Sequence, residues 1–232
     1  RIPNLLRELL AEGSMSAAFI PVFTEYHTLR SKRETWELVS AAFTTLLSIV
    51  TMITLVGIVV APTIVWLLAP GFHEDPTKLQ LTTLLTQVMF PYLIFISLAA
   101  LTMGILNSLR AFAAPALAPV FFNICVIASA LFLSPLLDEP VLGIAIGVVI
   151  GGLAQLVTQL PGVQKQGLLF QWRFEPGHPG VKKIGWLIVP SLLGTSVTQI
   201  NITVSTILAS YFEGGPTYLF YGMRLIQFPL GI

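Results

Sequence analysis

The chain has 232 residues, of which 55% are hydrophobic and only 10% charged, and its mean hydropathy is +0.84. A soluble domain carries about 25% charged residues, so the composition excludes that class and points to an all-α integral membrane protein, a polytopic helical bundle. A net charge of +1 and the lack of a basic run with interleaved aromatics give no sign of a nucleic-acid partner. Cys125 is alone, and His27, His73 and His178 are far apart, so neither a disulfide framework nor a metal site is expected.

The first 26 residues read as one helix, about 1.5 Å per residue and long enough to cross a bilayer. Unlike the other long apolar stretches, this one carries Arg7, Glu8 and Glu12 inside its span. A charge near the bilayer centre costs about 2.5–3.5 kcal/mol on insertion scales, so these groups should face protein or water. Arg1, Asn4, Glu8, Glu12 and Ser16 fall within about 120° of one another, with Arg7 at the edge of that stripe. Two readings stand: an internal salt bridge that tunes packing, or a hydrated cavity that handles a charged cargo.

Charge then marks the loops. Residues 27–37 form a polar break, and 38–72 follow as 35 residues without a charged side chain, more than one span needs. The surplus implies tilt, protrusion or a bend at Pro62. Turns at 73–78, 110–114 and 138–140 separate spans at 79–109, 115–137 and 141–164. Pro91 lies inside the first of these, and Gly143, Gly147 and Gly151 in the last suit close helix packing. The longest polar connection is 165–183, with a candidate interfacial segment at 170–175. Spans at 184–212 and 217–232 complete about seven transmembrane helices.

Three alternate loops, 27–37, 110–114 and 165–183, hold Arg30, Lys32, Arg33, Arg110, Lys165, Arg173, Lys182 and Lys183; the intervening loops hold only Lys78. The positive-inside rule puts the first three in the cytoplasm. Arg224 lies about 12 Å into the last span with no acidic residue near it in sequence. Planar, permanently charged guanidiniums at Arg7 and Arg224 suit phosphate or pyrophosphate oxygens; snorkelling of Arg224 to the interface is the alternative. Thr195, Gln199, Thr203 and Thr206 share about 80° of the 184–212 helix, as a wet face or as interhelical hydrogen-bonding groups. No catalytic constellation is present, so no enzyme is expected.

The run PNLLRELLAEGSMSAAFIPVFTEY at 3–26 resembles the signature of the MurJ (MviN) lipid II flippases of the multidrug/oligosaccharidyl-lipid/polysaccharide exporter superfamily. APGF at 69–72, FPYLIFISL at 90–98, GILNS at 104–108, QLPG at 159–162 and YGMRLIQFPLG at 221–231 extend that resemblance in order. It implies part of a two-lobe transporter in the bacterial cytoplasmic (inner) membrane. Residues 1–164 would belong to the first lobe without its first helix, 165–183 to an inter-lobe linker, and 184–232 to the start of a truncated second lobe. It further implies a lipid-linked pyrophosphate substrate, lipid II, moved by alternating access in a monomer surrounded by membrane lipids. Arg7, Glu12 and Arg224 match cavity residues needed for function, and Asn4 a cavity-lining position. Gln227, Thr217, Gln199 and Ser16 are further cavity-lining candidates. Met223 and Gln227 stand where the family often has acidic residues. No cofactor is implied; membrane potential or a coupled ion is the candidate energy source. The rivals are another exporter of the superfamily, for an oligosaccharide-lipid or a drug, and a membrane scaffold whose buried charges only fix packing.

Overall fold

The computed structural model describes residues 14–167, 171–212 and 214–230, and every regular element among them is helical. The helices are α1 (Ser14–Leu29), α2 (Lys32–Leu68), α3 (Pro76–Met89), α4 (Tyr92–Ser108), α5 (Ala113–Ala128), α6 (Pro140–Val157), α7 (Leu160–Lys165), α8 (Pro179–Ala209) and α9 (Gly215–Leu230). Four helical runs, 32–68, 76–108, 113–136 and 140–165, are long and apolar enough to cross a membrane. Of the other expected spans, 1–26, 184–212 and 217–232, the described residues 14–26, 184–209 and 217–230 are helical.

The expected polar break at 27–37 shrinks to a sharp corner. α1 continues to Leu29, and Ser31 then starts α2 with a capping box. The Glu34 N–H donates to Ser31 Oγ at 3.2 Å and the Ser31 N–H to Glu34 Oε2 at 3.0 Å, which satisfies two of the helix's orphan donors. α2 then runs 37 residues, about 55 Å, and passes through Pro62 without interruption. The proline that does divide a span is Pro91. It has no N–H to give and separates α3 from α4 within the 76–108 run.

Packing follows side-chain size. Gly143, Gly147 and Gly151 line the face of α6 that meets α5 and the segment after it. A Cβ at Gly147 would come within 2.5 Å of Ser129 Cβ, and one at Gly151 within 2.8 Å of the Phe122 ring. Ser129 opens a π-helical turn, 129–133, and its hydroxyl donates to the Gly143 carbonyl. The glycine spacing thus does what the sequence suggests: it brings two backbones together. The main core joins α1, α2, α4 and α8 through Phe19, Phe23, Leu38, Leu101, Ile105 and Ile184. Large apolar residues such as Val59, Leu67, Leu131 and Phe132 point outwards and are more than 60% exposed. A soluble protein would bury such a belt; here it is the surface that lipid covers.

The 165–183 connection is pinned to α2. Gly167 turns the chain at φ 85°, a conformation glycine adopts without strain, and 171–175 have no regular secondary structure. The Gln171 N–H donates to Ser40 Oγ at 3.4 Å, and Thr44 Oγ1 donates to the Arg173 carbonyl. The Arg173 guanidinium spans Glu37, at 3.1 Å, and Glu175, at 2.8 Å. Trp172 and Phe174 are exposed.

Candidate transport site

Asn4, Arg7 and Glu12 lie outside the described residues. Ser16 belongs to the first turn of α1, Gln199 to α8, and Arg224 and Gln227 to α9; these are backbone placements only. Thr217 is exposed in the first turn of α9. Of the expected threonine face, Thr203 and Thr206 are half-buried, and Thr206 Oγ1 donates to the Ile202 carbonyl of its own helix at 2.8 Å. α8 packs on α1 and also on α9, the helix that carries Arg224.

α1 holds the residues that follow the expected polar stripe in the sequence. In helical register, the sector of Asn4, Glu8, Glu12 and Ser16 continues as Phe19, Val22, Phe23 and Tyr26. Phe19, Val22 and Phe23 are buried, and Phe19 stacks on Phe23 with ring centroids 5.6 Å apart. They pack with Val181, Ile184 and Ile188 of α8. The aromatic part of this sector is covered by α8. Gly180 lets α8 come this close, since a Cβ there would lie 3.3 Å from the Tyr26 ring and 2.5 Å from Leu38 Cδ1.

Beyond this contact, towards the charged loops, lies a polar rim. Lys183 Nζ pairs with Glu25 Oε2, both about half exposed, and the Tyr26 and His178 rings meet with centroids 6.0 Å apart. At the far end of α8 the contact is of another kind. The Gly71 N–H donates to Ser210 Oγ at 3.2 Å, and a Cβ at 71 would overlap the Ser210 carbonyl. α8 is thus held against the first 165 residues at both ends. Glu25, Lys183, Gly71 and Ser210 were not among the expected site residues. Lys183 carried a loop-charge signal and Gly71 sat in the APGF motif, but no spacing rule joins either to its partner.

The family model described as Lipid II flippase MurJ matches residues 1–232. The chain belongs to the MurJ lipid II flippase family. It is 42% identical over 240 residues to a probable lipid II flippase MurJ of Vibrio cholerae, covering 100% of this chain and 46% of that protein. It is 38% identical over 237 residues to the lipid II flippase MurJ of Burkholderia cenocepacia, covering 100% of this chain and 46% of the relative. The chain thus spans about half the length of the curated relatives it matches. A solved structure titled as MurJ in an inward closed conformation superposes with a TM-score of 0.80 at 26% identity, over 100% of this chain and 47% of that one. Membership of the MurJ family makes this a multi-pass protein of the bacterial inner membrane.

Proposed function

We propose that the full protein is a flippase that moves a lipid-linked pyrophosphate, lipid II, across the cytoplasmic membrane by alternating access. The observation that supports this reading is the packing of Phe19 and Phe23 of α1 on Ile184 of α8, in the helical sector that the charged residues of the sequence at 4–12 would share. A scaffold has no use for a polar face closed off at one end, whereas a transporter needs a wet chamber and a removable seal. On this reading, loops 27–37, 110–114 and 165–183 face the cytoplasm, and Phe19, Phe23 and Tyr26 form the cytoplasmic seal. Arg7 and Arg224 hold the pyrophosphate oxygens, with Glu12 and Asn4 orienting Arg7 or contacting the head group. Ser16, Gln199, Thr217 and Gln227 line the chamber. Residues 165–183 link the lobes, and membrane potential biases the cycle by about 2.3 kcal/mol per charge per 100 mV. The transporter works as a monomer, by binding and motion, without a catalytic step.

The test is lipid II export in cells whose only copy of the full-length protein carries Arg7→Ala or Arg224→Ala. Lipid II trapped on the cytoplasmic face is the expected result, and normal export by both variants ends the proposal. Competition between lipid II and other lipid-linked sugars for the purified protein separates this reading from an exporter of broader range.

A further inference from the structure

The three loops rich in lysine and arginine meet at one end of the bundle around a surface cavity of about 510 Å³. His27 and Lys32 come from the α1–α2 corner, Thr35 from the first turn of α2, Ser108 and Arg110 from the end of α4, and Gln166 from just after α7. The cavity lies within the first 166 residues and borders the core between α1 and α8: His27 and Trp36 of its lining meet the Phe23 ring with centroids 5.8 and 6.3 Å away. No carboxylate lines it. The nearby acids are engaged elsewhere: Glu34 pairs with Arg30 at 3.7 Å, and Glu37 with Arg33 and Arg173, each at 3.1 Å. Among the described residues neither Lys32 nor Arg110 has a carboxylate partner. The Thr35 and Ser108 hydroxyl hydrogens are already given to backbone carbonyls, so the side-chain donors left around the cavity are those of Lys32, Arg110, Gln166, His27 and Trp36, whose indole N–H is buried without a hydrogen-bond partner among the described residues.

The backbone at Arg110 is a second, independent observation. α4 ends in a Schellman motif: the Arg110 N–H donates to the Asn107 carbonyl at 3.1 Å and the Ala111 N–H to the Leu106 carbonyl at 2.8 Å. This closure needs a left-handed residue, and the position is usually glycine. Here it is arginine at φ 58°, the one positive-φ residue among the described residues that is not glycine. A strained conformation kept for a long cationic side chain signals a use for that side chain.

We infer that this cavity binds a phosphate-bearing anion, either the headgroup of an anionic lipid of the cytoplasmic leaflet or a free phosphate species. Lys32 and Arg110 supply the charge and Gln166 a neutral donor. The cavity opens at the end of the bundle where the excess of Lys and Arg meets the membrane surface, which is where such headgroups gather. None of the residues that line this cavity is among those proposed for the transport chamber.

The test uses the purified full-length protein. Native mass spectrometry with dioleoylphosphatidylglycerol reads retained lipid, and a melting curve with inorganic phosphate reads the small anion. Arg110→Gly and Lys32→Gln should each weaken binding by about ten-fold, the loss of one charge-assisted contact, while Arg33→Gln should not. Arg110→Gly should at the same time leave the melting temperature unchanged or raised, because glycine relaxes the left-handed turn; weaker binding in a protein at least as stable cannot be a folding defect. Retention of the lipid alone assigns the site to a headgroup, and a response to phosphate alone assigns it to a free anion. Failure of the unaltered protein to bind either probe, or equal binding by both cavity variants, overturns the inference.

Discussion

α8 is held to the first part of the chain at two ends, and the two attachments are built differently. Near the charged loops it is a layered seal, with Phe19 and Phe23 packed on Ile184 inside and the Glu25–Lys183 pair outside. At the opposite end it is a single close approach of Gly71 to Ser210, with one hydrogen bond and no room for a side chain. The first kind loosens gradually, because its polar layer exchanges readily with water. The second is all-or-none: the backbones either touch or part. A transporter that opens alternately to two sides needs both attachments to be reversible. The comparison suggests that the cost of opening sits in the aromatic layer at one end and in fit at the other.

Removing the aromatic layer should have the largest effect. Phe→Ala in a packed core costs about 3–5 kcal/mol. Phe23→Ala in the full-length protein should lower thermal stability clearly and let a cytoplasmic thiol reagent reach a cysteine placed at Ile184, in a Cys125→Ser background. Wild-type stability together with a protected cysteine would show that the seal rests on something else.

The outer attachment should respond to a single methyl group. Gly71→Ala places a Cβ on the Ser210 carbonyl, and overpacking of this kind costs about 1–3 kcal/mol unless the contact opens. Because this end has no second layer, opening is the expected outcome. A cysteine at Ser210 should then label with a membrane-impermeant maleimide from outside at least several-fold faster, and export should fall. Unchanged labelling would mean that the contact is not part of the cycle.

The Glu25–Lys183 pair should contribute little by comparison. Both side chains are about half exposed, and such pairs are worth about 0.2–1 kcal/mol. A double-mutant cycle with Glu25→Gln and Lys183→Gln, read by melting temperature, should give a coupling in that range that fades with added salt. A coupling of several kcal/mol would move the weight of the seal from its rings to its rim.

The spans were legible because charge-free runs bounded by charged loops have one physical reading in this composition, and the α6 glycines declared their role through four-residue spacing. The corner at 30–31 was legible in principle, since Ser31 and Glu34 form a capping pattern; the count of charges around it masked the signal. The break at Pro91 was not, because Pro62 has the same local chemistry and leaves its helix intact. What separates the two is the packing around each. The attachments of α8 were illegible for a plainer reason. Glu25 and Lys183 are 158 residues apart, and Gly71 and Ser210 are 139 apart. No local pattern links such partners. The charged stripe on residues 1–16 is a sequence expectation from the cost of burying charge in lipid, and Asn4, Arg7 and Glu12 within it lie outside the described residues.

The smallest effect should come from the anchored segment at 171–175, and pH is the way to expose it. Glu37 stands at the charged start of α2, before the apolar run from Leu38. The hydrogen bond from Arg33 is the main cause that holds its carboxyl below the usual glutamate range, and Arg173 adds to it. A carboxyl whose pKa is lower in the folded state stabilises that state above its unfolded value of about 4.3, and the contribution disappears as pH falls through the folded value. The Arg173 anchor on α2 should therefore be intact at pH 7 and released only below about pH 4. Two hydrogen bonds that involve no carboxylate, Gln171 to Ser40 and Thr44 to Arg173, should keep the segment partly in place. Hydrogen exchange at the Gln171 amide should thus change little between pH 7 and 5, after correction for intrinsic rates, and rise modestly below 4. Arg173→Gln should show that modest rise already at pH 7 and lose the pH dependence. A large rise for the unaltered protein between pH 7 and 5 would assign the docking of the segment to a group other than Glu37, since no lowered carboxyl pKa can act in that window.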